Sequence, residues 1–200
     1  MENSHAQYKT ILFDLIVQSP YLYNLLDRLA QLHPYAFVSA GAIRNTVWAY
    51  LHGQSFDLQY SDVDVIYCDA TELDQHSQKQ LQQNLERLFP LQQWDVVNQA
   101  LVHTWYRKEN GKRIQPLASI EHALSLWPDT ATAIAVRVNA SGELELIAPF
   151  GLQDLFELKL RWNSALVSYA TFKKRVDSKQ WLQQWPQLQE VGPEIDNIGR

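Results

Sequence analysis

Apolar and polar positions change period several times along the chain, and each change marks an element. Dense apolar residues from Lys9 to Gln18 have helical character. Ser19-Pro20 then sets a cap before a proline in the first turn. This predicts a second helix to about Leu32, with Leu22, Leu25, Leu26 and Leu29 at helical spacing. His33-Pro34 breaks it. Tyr35 to Val38 is short and strand-like, and Gly41 to about His52 is helical again, with Ile43, Val47 and Leu51 on one side. After a loop from Gly53 to Ser61, Val63, Val65 and Tyr67 alternate with Asp62 and Asp64, the period of a strand. A helix from Asp74 to Phe89, closed by Pro90, leads to a strand from Trp94 to Val97. Asn110-Gly111 centres a turn, and a short helix from Ser119 to Leu126 stops before Pro128. Thr132 to Val138 and Glu143 to Ile147 flank Ala140-Ser141-Gly142 as a hairpin. Gly151 to Leu158 and much of Tyr169 to Trp185 are helical. Helices and strands mix irregularly, so the expected class is α/β or α+β around a mixed sheet.

With 200 residues, 46% of them hydrophobic, the chain has room for one domain with a real core. The expected division is N-terminal helices over residues 1–34 packing on a core over 35–165, then a C-terminal helical segment and tail over 166–200. No run approaches the roughly 18 apolar residues of a membrane helix, so no membrane partner is expected. The polar start Met1-Glu2-Asn3-Ser4-His5 lacks the pattern of a secretory leader. Cys68 is the only cysteine, which excludes an internal disulfide and argues against a thiolate metal site. A cytoplasmic setting is the expectation. The net charge of −5 argues against a protein that coats DNA or RNA non-specifically, but not against a small anion held in a locally positive pocket.

The candidate chemistry lies in "SDVDVIYCD" and "QQWDVVNQA". Residues two apart on a strand share a face, so the carboxylates of Asp62 and Asp64 converge. Like charges so placed repel unless a cation sits between them, and oxygen-only ligands suit Mg²⁺ or Mn²⁺. A wet strand end is the plainer reading of an isolated Asp-x-Asp. Asp95 changes that, because it lies on the strand after the next helix and can stand beside the pair as a third acid. Upstream, Ser39-Ala40-Gly41 joins a strand to a helix and presents free amides and a positive dipole end. Arg44 in the first turn opposes that dipole, which makes sense if a phosphate chain lies there; a pair with Asp62 is the alternative.

Taken together, "SAGAIRNTVWAYLHG" and "SDVDVIYCD" resemble the nucleotidyltransferase superfamily signature: glycine turn, helix, Asp-x-Asp, then one acid on the next strand. The motifs are similar to the head domain of the tRNA CCA-adding enzymes. They are closer still to a bacterial nucleotidyltransferase-like family, through "GAIRNTVW", "DVDV", "NQALVH" and "GLQDLF". The resemblance implies a polymerase-beta-like fold, a nucleoside triphosphate substrate and Mg²⁺ or Mn²⁺ as cofactor. It implies Asp62, Asp64 and Asp95 as catalytic residues and metal ligands, with Asp95 as the base for an acceptor hydroxyl. Ala40, Gly41, Arg44 and Asn45 would bind the nucleotide. Asn98, Gln99 and His103 could face the same cleft and meet base or ribose. The chain departs from the pattern in Ala40-Gly41-Ala42, where the superfamily has Gly-Gly or Gly-Ser, and in Leu101-Val102, where the family has Arg-Met. The acceptor could be RNA, protein or a small molecule, and a non-catalytic nucleotide-binding or partner-binding module on the same fold is the alternative.

Three other features want partners. Arg137, inside an apolar strand, needs a carboxylate or a phosphate. Asp154 reads as a helix brace. Lys173, Lys174, Arg175 and Lys179, interleaved with Phe172 and Trp181, form the best basic patch, either a solvated face or a nucleic-acid contact.

Overall fold

Pro20 opens its helix where the cap signal puts it, and the surrounding elements follow in the expected order. A computed structural model describes residues 2–193. Helices α1 (Glu2–Val17) and α2 (Pro20–Leu32) precede strand β1 (Phe37–Ser39) and helix α3 (Gly41–His52). Strand β2 (Asp62–Tyr67), helix α4 (His76–Leu88) and strand β3 (Gln93–Asn98) come next. Short helices α5 (Val102–Trp105) and α6 (Ile120–Ser125) lead to the hairpin β4 (Ala135–Val138) and β5 (Leu144–Ile147). Helix α7 (Gln153–Phe156), strand β6 (Lys159–Arg161), helices α8 (Tyr169–Ser178) and α9 (Trp181–Gln184), and strand β7 (Gln189–Val191) complete the described chain. The tail expected over the last residues lies beyond the described part. Among the described residues, no helix is long and apolar enough to cross a membrane.

The sheet is mixed, as expected, in the order β3-β2-β1-β4-β5. Strand β1 runs antiparallel to both β2 and β4, while β2 and β3 are parallel, joined through α4. The first strand begins two residues later than the pattern suggests. The His33-Pro34 break closes a turn, with the Ala36 amide donating to the His33 carbonyl at 3.0 Å, so pairing starts only at Phe37 opposite Ile66. Strands β6 and β7 form a separate parallel pair with no sequence signal. The final helical stretch is two helices, because Gln180 takes a left-handed φ of 53° between them.

Alternation along the strands sends Val63, Val65 and Tyr67 to one face, against Leu25, Leu29, Val47 and Trp48 of α2 and α3. Leu12 and Ile16 of α1, and Phe172, Val176, Trp181 and Trp185 of α8 and α9, belong to the same core. The opposite face carries Ile66 under Ile120 and Leu124 of α6. That cover stops short of the N-terminal ends of β2 and β3, where the same face turns acidic. Arg137 found its partner in Glu145 across the hairpin, 2.7 Å away, and Asp154 braces Thr130 and Arg161. Both are structural.

Candidate active site

Asp62, Asp64 and Asp95 share the open end of that second face. Parallel register sets Asp95 directly beside Asp64, and the two-residue spacing puts Asp62 on the same side. Asp62 and Asp95 are exposed and Asp64 is half-buried. Among the described residues, none of the three carboxylates has a hydrogen-bond or ion-pair partner. Burial lifts the Asp64 carboxyl above the usual carboxylate range, and Asp95 and Asp62 add their repulsion while Arg44 and Arg175 oppose it. Negative charge is thus held together at a cost that a bound cation would relieve.

A polar cavity of about 400 Å³ opens beside Asp62 and Asp64. Its floor is the β1–α3 turn, tied to β2 by the Ser39 hydroxyl donating to the Asp64 carbonyl at 3.2 Å. Ala40 sits in this turn at φ 51° and ψ −121°, a conformation suited to glycine. Helix α3 begins at this cavity wall, where Ala40 and Gly41 line it, and the first amides of a helix have no intrahelical partner. Gly41 leaves that surface open: a Cβ there would come within 3.7 Å of Arg44 Nη2.

Arg44 lines the cavity but is 95% buried, with 5% exposure remaining. Its Nε and Nη2 donate to Asn45 Oδ1 at 3.1 and 2.9 Å, and Nη1 donates to Thr132 Oγ1 at 3.0 Å. The guanidinium also stacks on Trp48 and Trp181, 4.8 and 4.3 Å from their ring centres. Among the described residues no carboxylate pairs with it, so the pair with Asp62 is not formed. Burial pulls its pKa down to about 10, with Asp129 and Asp64 opposing and Arg175 adding to the fall. It remains a cation at neutral pH, oriented and under-neutralised.

Two further cations enter from the C-terminal segment. Arg175 and Lys179 are one helical turn apart at the end of α8 and line the same cavity. Arg175 stacks on Trp181 at 5.3 Å, and its buried Nε has no partner among the described residues. Lys173 turns away to Glu190, 2.5 Å off.

A second, apolar cavity of about 240 Å³ lies on the other side of Asp64 and includes Asp95. Three acids, a cation-lined cavity and an apolar one meet at a single side chain. A family model described as nucleotidyltransferase matches residues 28–190. The chain belongs to this nucleotidyltransferase family. The nucleotidyltransferase is similar to a solved protein described as a CCA-adding enzyme head domain, at 24% identity and a TM-score of 0.77 over 91% of this chain and 95% of that one. It is also similar to a tRNA-processing enzyme in its apo form, at 16% identity and a TM-score of 0.51. There the match covers 86% of this chain and 44% of the enzyme, so the chain spans less than half that enzyme's length. These likenesses show the fold. No curated protein matches the chain.

The nucleotidyltransferase thus gathers Asp62, Asp64, Ala40, Gly41, Arg44 and Asn45 around one cavity, and Asp95 around the next. Asn98 and His103 line neither. The Asn98 amide is consumed locally: Oδ1 accepts from the Asp69 and Ala100 amides, and Nδ2 donates to the Asp69 carbonyl and Glu72. His103 Nδ1 bonds the Ala100 carbonyl at 2.8 Å. The nucleotide contact expected of these two finds no support there, whereas Gln99 does reach the apolar cavity. Trp181, Arg175 and Lys179 line the cation-bearing cavity and Thr132 holds Arg44, four residues that motif reasoning did not place there. For Arg175 and Lys179 the signal was present as the basic patch, assigned to a solvated face or nucleic acid.

Proposed function

We propose that this nucleotidyltransferase moves a nucleoside monophosphate from a nucleoside triphosphate to an acceptor hydroxyl, with Mg²⁺ or Mn²⁺ as cofactor. The observation that carries the reading is the position of Asp64: a partly buried carboxylate without a protein partner among the described residues, between a cationic cavity and Asp95.

The donor set fits such an ion. Among the described residues, no three His, Cys, Asp or Glu side chains are arranged to hold a metal by themselves. An all-oxygen pair completed by substrate phosphates is the usual situation for Mg²⁺. Asp62 and Asp64 would hold it, with Asp95 at its edge, and it would supply charge neutralisation at the phosphates. The chain's own groups do the rest. Arg44, locked by Asn45 and Thr132, grips the triphosphate with the α3 amides, and Arg175 and Lys179 close over it. Asp95 takes the proton of the acceptor hydroxyl as its oxygen attacks the α-phosphorus and pyrophosphate leaves. Catalysis rests on positioning and charge. A cytoplasmic setting suits a chain with one cysteine.

The test incubates the protein with each α-labelled nucleoside triphosphate, Mg²⁺ or Mn²⁺, and cell extract. Label should move to an acceptor with wild type and not with Asp62→Asn/Asp64→Asn. Equal transfer by the double variant would sink the reading.

A further inference from the structure

The apolar cavity beside Asp95 has features that the nucleotide site does not use. It begins at Asp64 and Asp95 and runs over Ile66 and Val97 beneath the layer formed by α5, α6 and the chain before α8. Trp105, Tyr106 and Trp127 supply its aromatic wall. Among the described residues, no Lys or Arg lines it. Gln99 is the exception among its walls: 94% buried, with 6% exposure left, it lines the cavity, and its side-chain amide has no hydrogen-bond partner among the described residues. The unpartnered amide is open to the cavity, so a ligand there can both donate to its oxygen and accept from its nitrogen. The volume of about 240 Å³ exceeds the roughly 150 Å³ of a dry cavity that holds one benzene ring, and so admits one or two fused rings.

We propose that the acceptor is a compact, uncharged ring alcohol whose apolar body fills this cavity, and that Gln99 selects it by hydrogen bonding a polar substituent on the ring. The inference rests on the transfer reading for the identity of the reaction, but the cavity's ligand class can be tested without it. A ring seated among Trp105, Tyr106 and Trp127 presents its hydroxyl at Asp95. The hydroxyl oxygen then bonds to the α-phosphorus, the bond to the bridging oxygen of pyrophosphate breaks, and the hydroxyl proton passes to the Asp95 carboxylate. A polyanionic acceptor finds no cation here and would add its charge to that of Asp64 and Asp95.

The experiment measures binding of 2-phenylethanol, cyclohexanol and 2-(indol-3-yl)ethanol to the full chain by ligand-observed NMR, beside a short oligoribonucleotide with a free 3′ hydroxyl. Ala123→Phe puts a ring into the cavity from α6, and Gln99→Leu removes the amide at similar volume. The ring alcohols should bind wild type, and Ala123→Phe should weaken them by about tenfold or more while nucleoside triphosphate binding stays unchanged. Gln99→Leu should weaken the alcohol carrying the indole N–H relative to cyclohexanol. Triphosphate binding also certifies that both variants are folded. The proposal is overturned if no alcohol binds, if Ala123→Phe binds them equally, or if the oligoribonucleotide competes for the cavity. Alcohol binding without label transfer would leave the ligand class standing and remove the catalytic reading beneath it.

Discussion

Replacing Asp64 by Asn should make the protein more stable while disabling its site. Asp64 is partly buried among β1, β2 and β3, next to Asp95 in register and Asp62 on the same strand, and among the described residues no hydrogen bond repays its carboxylate. Neighbouring strands lie about 5 Å apart, and two unit charges at that distance repel by roughly 1 kcal/mol in water and about 3 kcal/mol at an effective dielectric of 20. Asp95 is exposed, so the lower figure applies. Attraction from Arg44 and Arg175 offsets part of the burden, yet burial and repulsion together still raise the Asp64 pKa. A gain of about 1 kcal/mol corresponds to roughly 2–4 °C in Tm for a chain of this size. The sign with pH follows. A carboxyl whose folded pKa lies above its unfolded value, about 4, contributes fully below that value and loses the contribution as pH rises through the folded one. The advantage of Asp64→Asn should therefore be absent at about pH 4 and open towards pH 7. Urea unfolding in chelator measures it, and Mg²⁺ should then stabilise wild type but not the variant. An Asn variant that is less stable at pH 7, or equally displaced at every pH, would refute the reasoning.

Ala40→Gly should stabilise the fold by up to about 1 kcal/mol, because relief of the positive-φ strain exceeds the added entropy of an unfolded glycine; urea midpoints check this. Arg44→Lys keeps the charge but loses the forked donation to Asn45 Oδ1 and the stacking between Trp48 and Trp181. Triphosphate affinity, read by calorimetry, should fall about tenfold or more. Burial holds the His33 imidazole below its ordinary pKa, and its ring lies 4.5 Å from that of Tyr67. The unfolded chain therefore takes up the proton first, and stability present above about pH 6.5 declines as pH falls below it. His33→Asn should show a shallower decline between about pH 7.5 and 5.5 in the same unfolding assay.

What could be read along the chain was whatever one period or one cap specifies. Gly41–His52 and Asp62–Tyr67 follow from a glycine-started helix and an alternating strand, and once β2 and β3 are parallel Asp95 falls beside Asp64. Residues 99–105 carry no long period: their turn exists because Asn98 caps it through Ala100, which also explains why Asn98 is not free for a nucleotide. Strands β6 and β7 have three residues each and are held by register with one another, a relation no local pattern encodes. The largest omission was the convergence of Arg44, Arg175 and Trp181. Arg44 is far in sequence from the other two, and the left-handed Gln180 lies just before Trp181, which stacks beneath both guanidinium groups. The apolar cavity is likewise a tertiary product, since the adjacent Trp105 and Tyr106 meet Trp127 from a separate segment.

The central claim is that three acids and a cationic cavity form one metal-dependent triphosphate site. Equilibrium binding of a nucleoside triphosphate, titrated with and without Mg²⁺ or Mn²⁺, tests it most directly. Wild type should bind tightly only with the ion, and Asp62→Asn/Asp64→Asn should lose that dependence. Binding that is indifferent to the ion, or unchanged in the double variant, would contradict the account.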